Sequence, residues 1–225
     1  MNDFPKFIVV DGPDGSGKTT IIERLVKYIE TIKPELKVVV GRGLGSGKAA
    51  ESIRSTMMNN EIKKSSNYEI YGAIMCLIDC HETFVLPNIN NNKLVILDRY
   101  IPSYYAYQVK ARNSEIASKM LIDCFAAPFT IQPDVYINTY CSIENSIDRM
   151  KNRNDNNYLD EEGIIFKRKL LEGYEEFFNK APLMFCASKP SKIFKVNTDK
   201  PLADVLSEVY EITSKMFTDK PVWLD

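Results

Sequence analysis

Near the amino terminus, Gly12–Thr20 reads GPDGSGKTT, which satisfies the spacing GxxxxGK[ST]. Such a loop is built to hold phosphate. Gly12, Gly15 and Gly17 let the backbone curl so that successive N–H groups face one anion, and the start of the following helix adds about half a positive charge behind them. Lys18 is placed to reach the β- and γ-phosphates of a nucleotide. The Thr19 hydroxyl suits Mg²⁺, whose small octahedral shell prefers oxygen donors. The candidate donor site is therefore Gly12, Asp14, Gly15, Ser16, Gly17, Lys18, Thr19 and Thr20. It implies that a nucleoside triphosphate binds and leaves open where the phosphoryl group goes.

A second group bears on that question. Asp98-Arg99-Tyr100 follows a β-branched run, which puts a carboxylate and a guanidinium at the carboxyl edge of a strand, where open α/β sheets bind ligands. Asp98 can hold metal-bound water beside the phosphate loop, and Arg99 can grip a second phosphate through two parallel hydrogen bonds. A switch GTPase would need NKxD and DxxG; Asn197–Lys200 is NTDK and the strand ends LDRY.

The elements that must position these groups alternate along the chain. Lys6–Asp11, Lys37–Val40, Lys93–Leu97, Asp134–Asn138 and Lys192–Val196 read as strands, and stretches of helical periodicity, beginning with Thr19–Glu30, separate them. That order predicts an α/β fold, a five-stranded parallel sheet with helices on both faces. Ile70, Ala73, Ile74, Leu77, His81, Phe84 and Val85 fall at helical spacing and predict a packed helix ending before Pro87 and the Asn-rich turn Asn88–Asn92. His81 on that apolar face reads as a core histidine, and Cys76 and Cys80, one turn apart, as packing groups. No internal repeat or long linker divides the chain, and Lys151–Tyr158 reads as a loop inside one domain.

Composition narrows the partners. The 225 residues carry 29 Lys and Arg against 30 Asp and Glu, a formal charge of −1, which gives no general attraction to nucleic acid or an anionic membrane. The longest uninterrupted apolar run is Ala73–Ile78, and Met1–Phe7 has acid and proline where a signal peptide needs basic then apolar residues, so a cytoplasmic location is expected. The five cysteines (Cys76, Cys80, Cys124, Cys141, Cys186) are scattered without a CxxC pair and read as free thiols. With one histidine, neither a zinc site nor a Ser-His-Asp triad is expected.

Taken together, these segments resemble the thymidylate kinases, members of the nucleoside-monophosphate kinase group within the phosphate-loop fold. The resemblance runs in family order over nearly the whole chain. It includes GPDGSGKTT with an acid at Asp14; Gly41–Ser55 (GRGLGSGKAAESIRS); Asp98–Gln108 (DRYIPSYYAYQ), close to DRxxxSxxAYQ; Pro133–Val135; an Arg149/Arg153 pair; Phe166–Tyr174 (FKRKLLEGY); and Val196–Val205 (VNTDKPLADV). It implies a three-layer phosphate-loop kinase fold over residues 1–225 with a short lid at about 149–160, small-molecule nucleotide substrates and a homodimer. The implied reaction uses ATP and Mg²⁺ to phosphorylate a deoxynucleoside monophosphate, dTMP first, to the diphosphate.

Carried over by residue, the resemblance gives Arg42 and Arg99 the acceptor phosphate, brings Asp14 to the acceptor sugar and lines the nucleoside pocket with Ser103 and Tyr107. Thr19 and Asp98 would serve the metal. Lys18, Asp98, Arg99, Arg149 and Arg153 form the expected catalytic set, Arg149, Lys151 and Arg153 supplying charge over the transferring group because Gly15 brings no side chain to the loop. Tyr174 and the turn Asn197–Pro201 are expected at the adenine end. Two positions depart from the family: where members carry a thymine-stacking aromatic and, four residues later, an arginine for the base edge, this chain has Ala73 and Leu77. A site without that polar partner loses discrimination, so a modified deoxyuridylate or a broad deoxynucleotide range fits the residues as well as thymidylate does. A deoxynucleoside kinase, a transferase acting on nucleotides within DNA and a non-catalytic nucleotide-binding module are the other readings.

Overall fold

Five β-branched runs become strands in the computed structural model, which describes residues 4–125, 131–151, 163–180 and 191–217. They are β1 (Phe7–Asp11), β2 (Val38–Arg42), β3 (Leu94–Asp98), β4 (Val135–Tyr140) and β5 (Lys192–Asn197). All pair in parallel, in the order β2-β3-β1-β4-β5. Because side chains alternate across a strand, β1 feeds two cores. Phe7 and Val9 join Val95, Leu97 and Tyr136 on one face, whereas Ile8 and Val10 join Ile96, Val135 and Ile137 on the other. Full burial of each such side chain stabilises the fold by about 1.5–3 kcal/mol.

The second face is covered by α1 (Lys18–Ile32) and α9 (Leu202–Phe217), whose buried stripes include Ile21, Leu25 and Ile29, and Val205, Val209 and Met216. The first is covered by α3 (Ser66–Cys80), α5 (Ile101–Tyr104) with the π-helical Tyr105–Ala111 that continues it, α6 (Glu115–Phe125) and α8 (Ile164–Lys180). Layers of helix, parallel sheet and helix make the three-layer α/β fold expected from the alternation. Two shorter helices, α2 (Lys48–Met58) after β2 and α7 (Ile143–Lys151) after β4, complete the site edge.

Several boundaries differ from those read in the sequence, among them the start of the expected lid, since Arg149 and Lys151 belong to α7. β2 and β3 extend to Arg42 and Asp98, which stand opposite each other, so the second and third strands carry their charged residues to the same edge. The apolar helix starting at Ser66, where the Ser65 side chain accepts from the Tyr68 N–H, does not stop before Pro87. It passes through a π turn (His81–Val85) into α4 (Leu86–Asn90). The wider π turn precedes the point where a proline ring would press on the carbonyl four residues back. The whole of Ser66–Asn90 is long and apolar enough by composition to cross a membrane. Its apolar face is nevertheless spent on the sheet, with Ile70, Ala73, Ile74, Leu77, Cys80 and Val85 all in the core.

Candidate active site

β1 ends in Asp11, and the next residues wrap into the glycine-rich loop whose last glycine, Gly17, caps α1. Lys18, the first helical residue, is buried, and its ammonium donates to the carbonyls of Gly12 (2.9 Å) and Pro13 (2.7 Å). Burial, followed by the Arg99 charge, pulls its pKa down to about 8. Ser16 is buried against Thr139 (2.7 Å between hydroxyls), whereas Thr19 and Thr20 face solvent. Gly15 has φ +75°, and a Cβ there would lie 2.5 Å from the Ser146 carbonyl oxygen of α7, so the position is closed to side chains.

Opposite this loop stands Arg99. Its backbone is left-handed (φ +67°), uncommon for a residue with a Cβ, and its N–H donates to the Val10 carbonyl at 3.0 Å. Nη1 lies 3.0 Å from the Gly12 carbonyl and 3.1 Å from both the Ser103 and Tyr174 hydroxyls, and Nη2 pairs with Asp14. Burial opposes this charge, yet Asp14, Tyr107, Tyr174 and Asp98 hold its pKa well above the ordinary value. Asp14 also accepts from the Tyr107 hydroxyl (2.5 Å).

The β2 side completes the ring of cations. Gly43 donates its N–H to the Asp98 carbonyl (3.0 Å), and a Cβ on it would fall 2.0 Å from the Arg99 carbonyl oxygen, so glycine alone allows this loop to lie on the Arg99 turn. α2 is fixed at its start by Asp79 of α3, which accepts from the Ala50 N–H (2.8 Å). That seating turns Arg54 inward. Burial lowers the Arg54 pKa, with the Arg42 and Arg99 charges acting in the same direction. Arg42 itself is exposed at the strand end. Sequence reasoning named Arg42 and Arg99 and passed over Arg54. A signal was present, since Arg54 falls four residues after Ala50 and three before Met57, both buried on the face that packs on α3.

Between these groups lies a cavity of about 80 Å³. Asp14, Arg54, Arg99, Ser103, Tyr107 and Gln108 form its polar side, and Leu44, Met57, Met58, Ala73 and Cys76 its apolar side. Ala73 thus stands in the wall without an aromatic ring, and Leu77 is wholly buried in the core. Ser103 is 0% exposed and its hydroxyl is committed to Asp11 (2.7 Å).

Tyr174, expected at the adenine end, is buried, and its hydroxyl meets Ser103 (2.8 Å), Arg99 and Asp11, because α8 packs along the π-helical segment behind the Arg99 turn. The Arg149 guanidinium donates to the carbonyls of Gly15 (3.1 Å) and Thr198 (2.6 Å), bridging the phosphate loop to the turn after β5. Arg153 and most of the expected lid lie outside the described residues, as does Cys186. His81 is buried as read: Nε2 accepts from the Ile131 N–H (3.4 Å), which leaves Nδ1 to donate to the Tyr100 hydroxyl (2.9 Å), and burial lowers its pKa to about 4. Cys76 and Cys80 are buried, and burial raises both thiols, to about 11 and about 12.

The residues present fit Mg²⁺. Asp98 Oδ1 is buried with no hydrogen-bond partner among the described residues, an acceptor that a metal-bound water would satisfy. No cluster of three or more His, Cys, Asp or Glu side chains occurs among the described residues, which suits a cation that keeps its waters and relies on phosphate oxygens.

Comparison with known proteins agrees with this geometry. The family model for thymidylate kinase matches residues 10–198. The chain is 32% identical over 211 residues to the thymidylate kinase of Staphylococcus haemolyticus (strain JCSC1435), covering 92% of this chain and 96% of the relative. To the thymidylate kinase of Mycoplasmopsis agalactiae (strain NCTC 10123 / CIP 59.7 / PG2) it is 33% identical over 220 residues, covering 95% of each. In three dimensions it is similar to the crystal structure of thymidylate kinase from Ehrlichia chaffeensis, with a TM-score of 0.67 over 92% of this chain and 96% of that one at 21% identity, a likeness of fold. With a phosphate loop at one strand end facing a cluster of arginines at its neighbours, and with matches over nearly all its length, this chain belongs to the thymidylate kinase family of phosphotransferases.

Proposed function

We propose that the protein transfers the γ-phosphoryl group of ATP, with Mg²⁺, to a deoxynucleoside monophosphate, dTMP first, giving the diphosphate. The observation that carries this is the convergence of Arg42, Arg54 and Arg99 across from Lys18, with Arg54 and Arg99 lining a cavity that opens beside the phosphate loop. A neutral acceptor such as a nucleoside hydroxyl has no use for three guanidiniums, whereas a phosphate dianion does.

In this reading the triphosphate lies along Gly12–Thr20, and Lys18 leaves its two loop carbonyls to meet the β- and γ-phosphates. Thr19 and Asp98 hold Mg²⁺, which when bound neutralises phosphate charge. The acceptor phosphate takes the guanidinium of Arg99 and the charges of Arg42 and Arg54. Asp14, released from Arg99, and Tyr107 meet the sugar, while Ser103 lies behind them. Little covalent chemistry falls to the protein, because the transition state spreads charge over three equatorial oxygens and needs position and cations. The acceptor phosphate is largely dianionic at neutral pH, its second pKa being about 6 as in a phosphoserine, so no general base is needed. Arg149 braces Gly15 from the donor side, and Arg153 with the lid adds charge and excludes water. The same reading takes residues 1–225 as one cytoplasmic kinase domain acting on small nucleotides, and a homodimer through α3, where Tyr68, Tyr71 and Met75 stay exposed.

A second reading concerns the base. Ala73 in the cavity wall gives a base no ring to stack on, and Leu77 offers no hydrogen bond, which favours a modified deoxyuridylate or a range of deoxynucleotides. A panel of deoxy- and ribonucleoside monophosphates, with thymidine as the unphosphorylated control, decides between them when scored for diphosphate with ATP and Mg²⁺. Product from dTMP alone supports thymidylate specificity, and product from several deoxynucleotides supports the second reading. Phosphorylation of thymidine but of no monophosphate would exclude both.

A further inference from the structure

The acid at the end of β1 belongs to none of the groups assigned so far. Asp11 is 0% exposed, yet its carboxylate accepts five hydrogen bonds from three separate segments. Oδ1 takes the Gly12 N–H (2.8 Å), the Ser103 hydroxyl (2.7 Å) and the Tyr174 hydroxyl (3.2 Å). Oδ2 takes the Tyr100 N–H (2.8 Å) and the Ser103 N–H (3.2 Å). A buried carboxylate this well supplied is structural glue of high stakes, since any donor it releases is left unpaired in the interior.

What it glues is the Arg99 turn. Arg99 holds the left-handed backbone, which costs an L-residue about 1 kcal/mol, and the next amide along the chain, that of Tyr100, is tied to Asp11. The side chain is governed by the same anchor. Ser103 and Tyr174, the two hydroxyls against which Arg99 Nη1 rests at 3.1 Å, are the two hydroxyls that Asp11 holds. A proton-donating relay therefore runs from guanidinium to hydroxyl to carboxylate.

We propose that Asp11 is a positioning residue for the acceptor phosphate: it fixes the left-handed Arg99 turn and, through Ser103 and Tyr174, the direction of the Arg99 guanidinium. This inference rests on the reading above that Arg99 binds that phosphate. Asp11 touches no substrate; its effect on binding passes through Arg99.

A double-mutant cycle tests it. Binding of dTMP, without ATP, is measured by calorimetry for the full chain and for Asp11→Asn, Arg99→Lys and the combined variant. Each single change is expected to weaken dTMP binding by about tenfold or more. The combined variant should bind no more weakly than Arg99→Lys alone, because one effect acts through the other. Full affinity in Asp11→Asn, or losses that multiply in the combined variant, overturns the proposal. Should Asp11→Asn fail to fold, Ser103→Ala, which removes the middle of the relay, takes its place with the same two outcomes. If Arg99→Lys by itself leaves dTMP affinity unchanged, the placement of Arg99 at the acceptor phosphate is what has failed, and this inference falls with it.

Discussion

Lys18 and Arg99 share one acceptor: Lys18 Nζ lies 2.9 Å and Arg99 Nη1 3.0 Å from the carbonyl oxygen of Gly12. Two cations far apart in the chain are thus held against the same loop, with Asp14 paired to Arg99. Their mutual repulsion is part of why the Lys18 pKa falls to about 8, after burial itself. Polyanionic substrates arriving on either side relieve that repulsion.

A pH dependence with a definite sign comes from this pair. Triphosphate favours the protonated Lys18, so its binding near and above pH 8 takes up a proton, and affinity falls by up to about tenfold per pH unit above that point. Calorimetry with ATP at pH 8.5 in buffers of different ionisation enthalpy measures the uptake, which should vanish in Lys18→Met. In the unliganded chain the unfolded state keeps the Lys18 proton to about 10.4, so this group makes folding more favourable as pH rises from about 8 toward that value.

Removing the ammonium should damage chemistry more than binding of the acceptor. Lys18→Ala is expected to lower kcat by about 100-fold or more, the scale of losing one transition-state charge contact. Single-turnover rates with saturating acceptor check it, and a rate within a few-fold of the parent protein's would place Lys18 outside the transferring group.

Arg54 and Arg42 should behave as acceptor-side residues of unequal weight. Arg54→Ala is expected to raise the acceptor KM by about 10- to 100-fold, in the range of a charged hydrogen bond, and exposed Arg42 by less. Initial-rate kinetics at varied monophosphate decide this, and an unchanged acceptor KM in both would remove the arginine cluster from the phosphate site.

Gly15 is a steric test of the donor side. Gly15→Ala brings a Cβ to 2.5 Å from the Ser146 carbonyl oxygen at φ +75°, a strain of about 1–3 kcal/mol. Thermal unfolding should fall in step, and ATP affinity should weaken more than dTMP affinity because the loop must shift away from α7.

His81 predicts an acid limit. Its pKa is lowered to about 4 from 6.5, so its contribution to stability is complete above 6.5 and is lost as pH falls from 6.5 toward 4, with a slope of up to about tenfold in the folding constant per pH unit. Urea unfolding of the parent protein and of His81→Gln between pH 7 and 5 should show the steeper loss in the parent.

The amino-acid sequence by itself determined the local chemistry and the order of layers. GPDGSGKTT needs only its own glycines, lysine and adjoining helix to make an anion cradle, and alternating β-branched and periodic runs leave a parallel sheet as the economical arrangement, so Lys18, Asp98 and Arg99 were legible at their strand ends. What the tertiary structure alone decided depends on distances between segments far apart in the chain. Arg54 faces the acceptor cavity because α2 is seated on α3 by Asp79; Tyr174 lies under Arg99 because α8 packs along the π-helical Tyr105–Ala111; and Asp11, which reads as the last residue of a strand, binds the Arg99 turn because β1 and β3 are neighbours in register. Hydrogen-bond rules and periodicity act over a few residues, whereas these contacts are set by how whole layers pack, and the directions of three arginines follow from that packing.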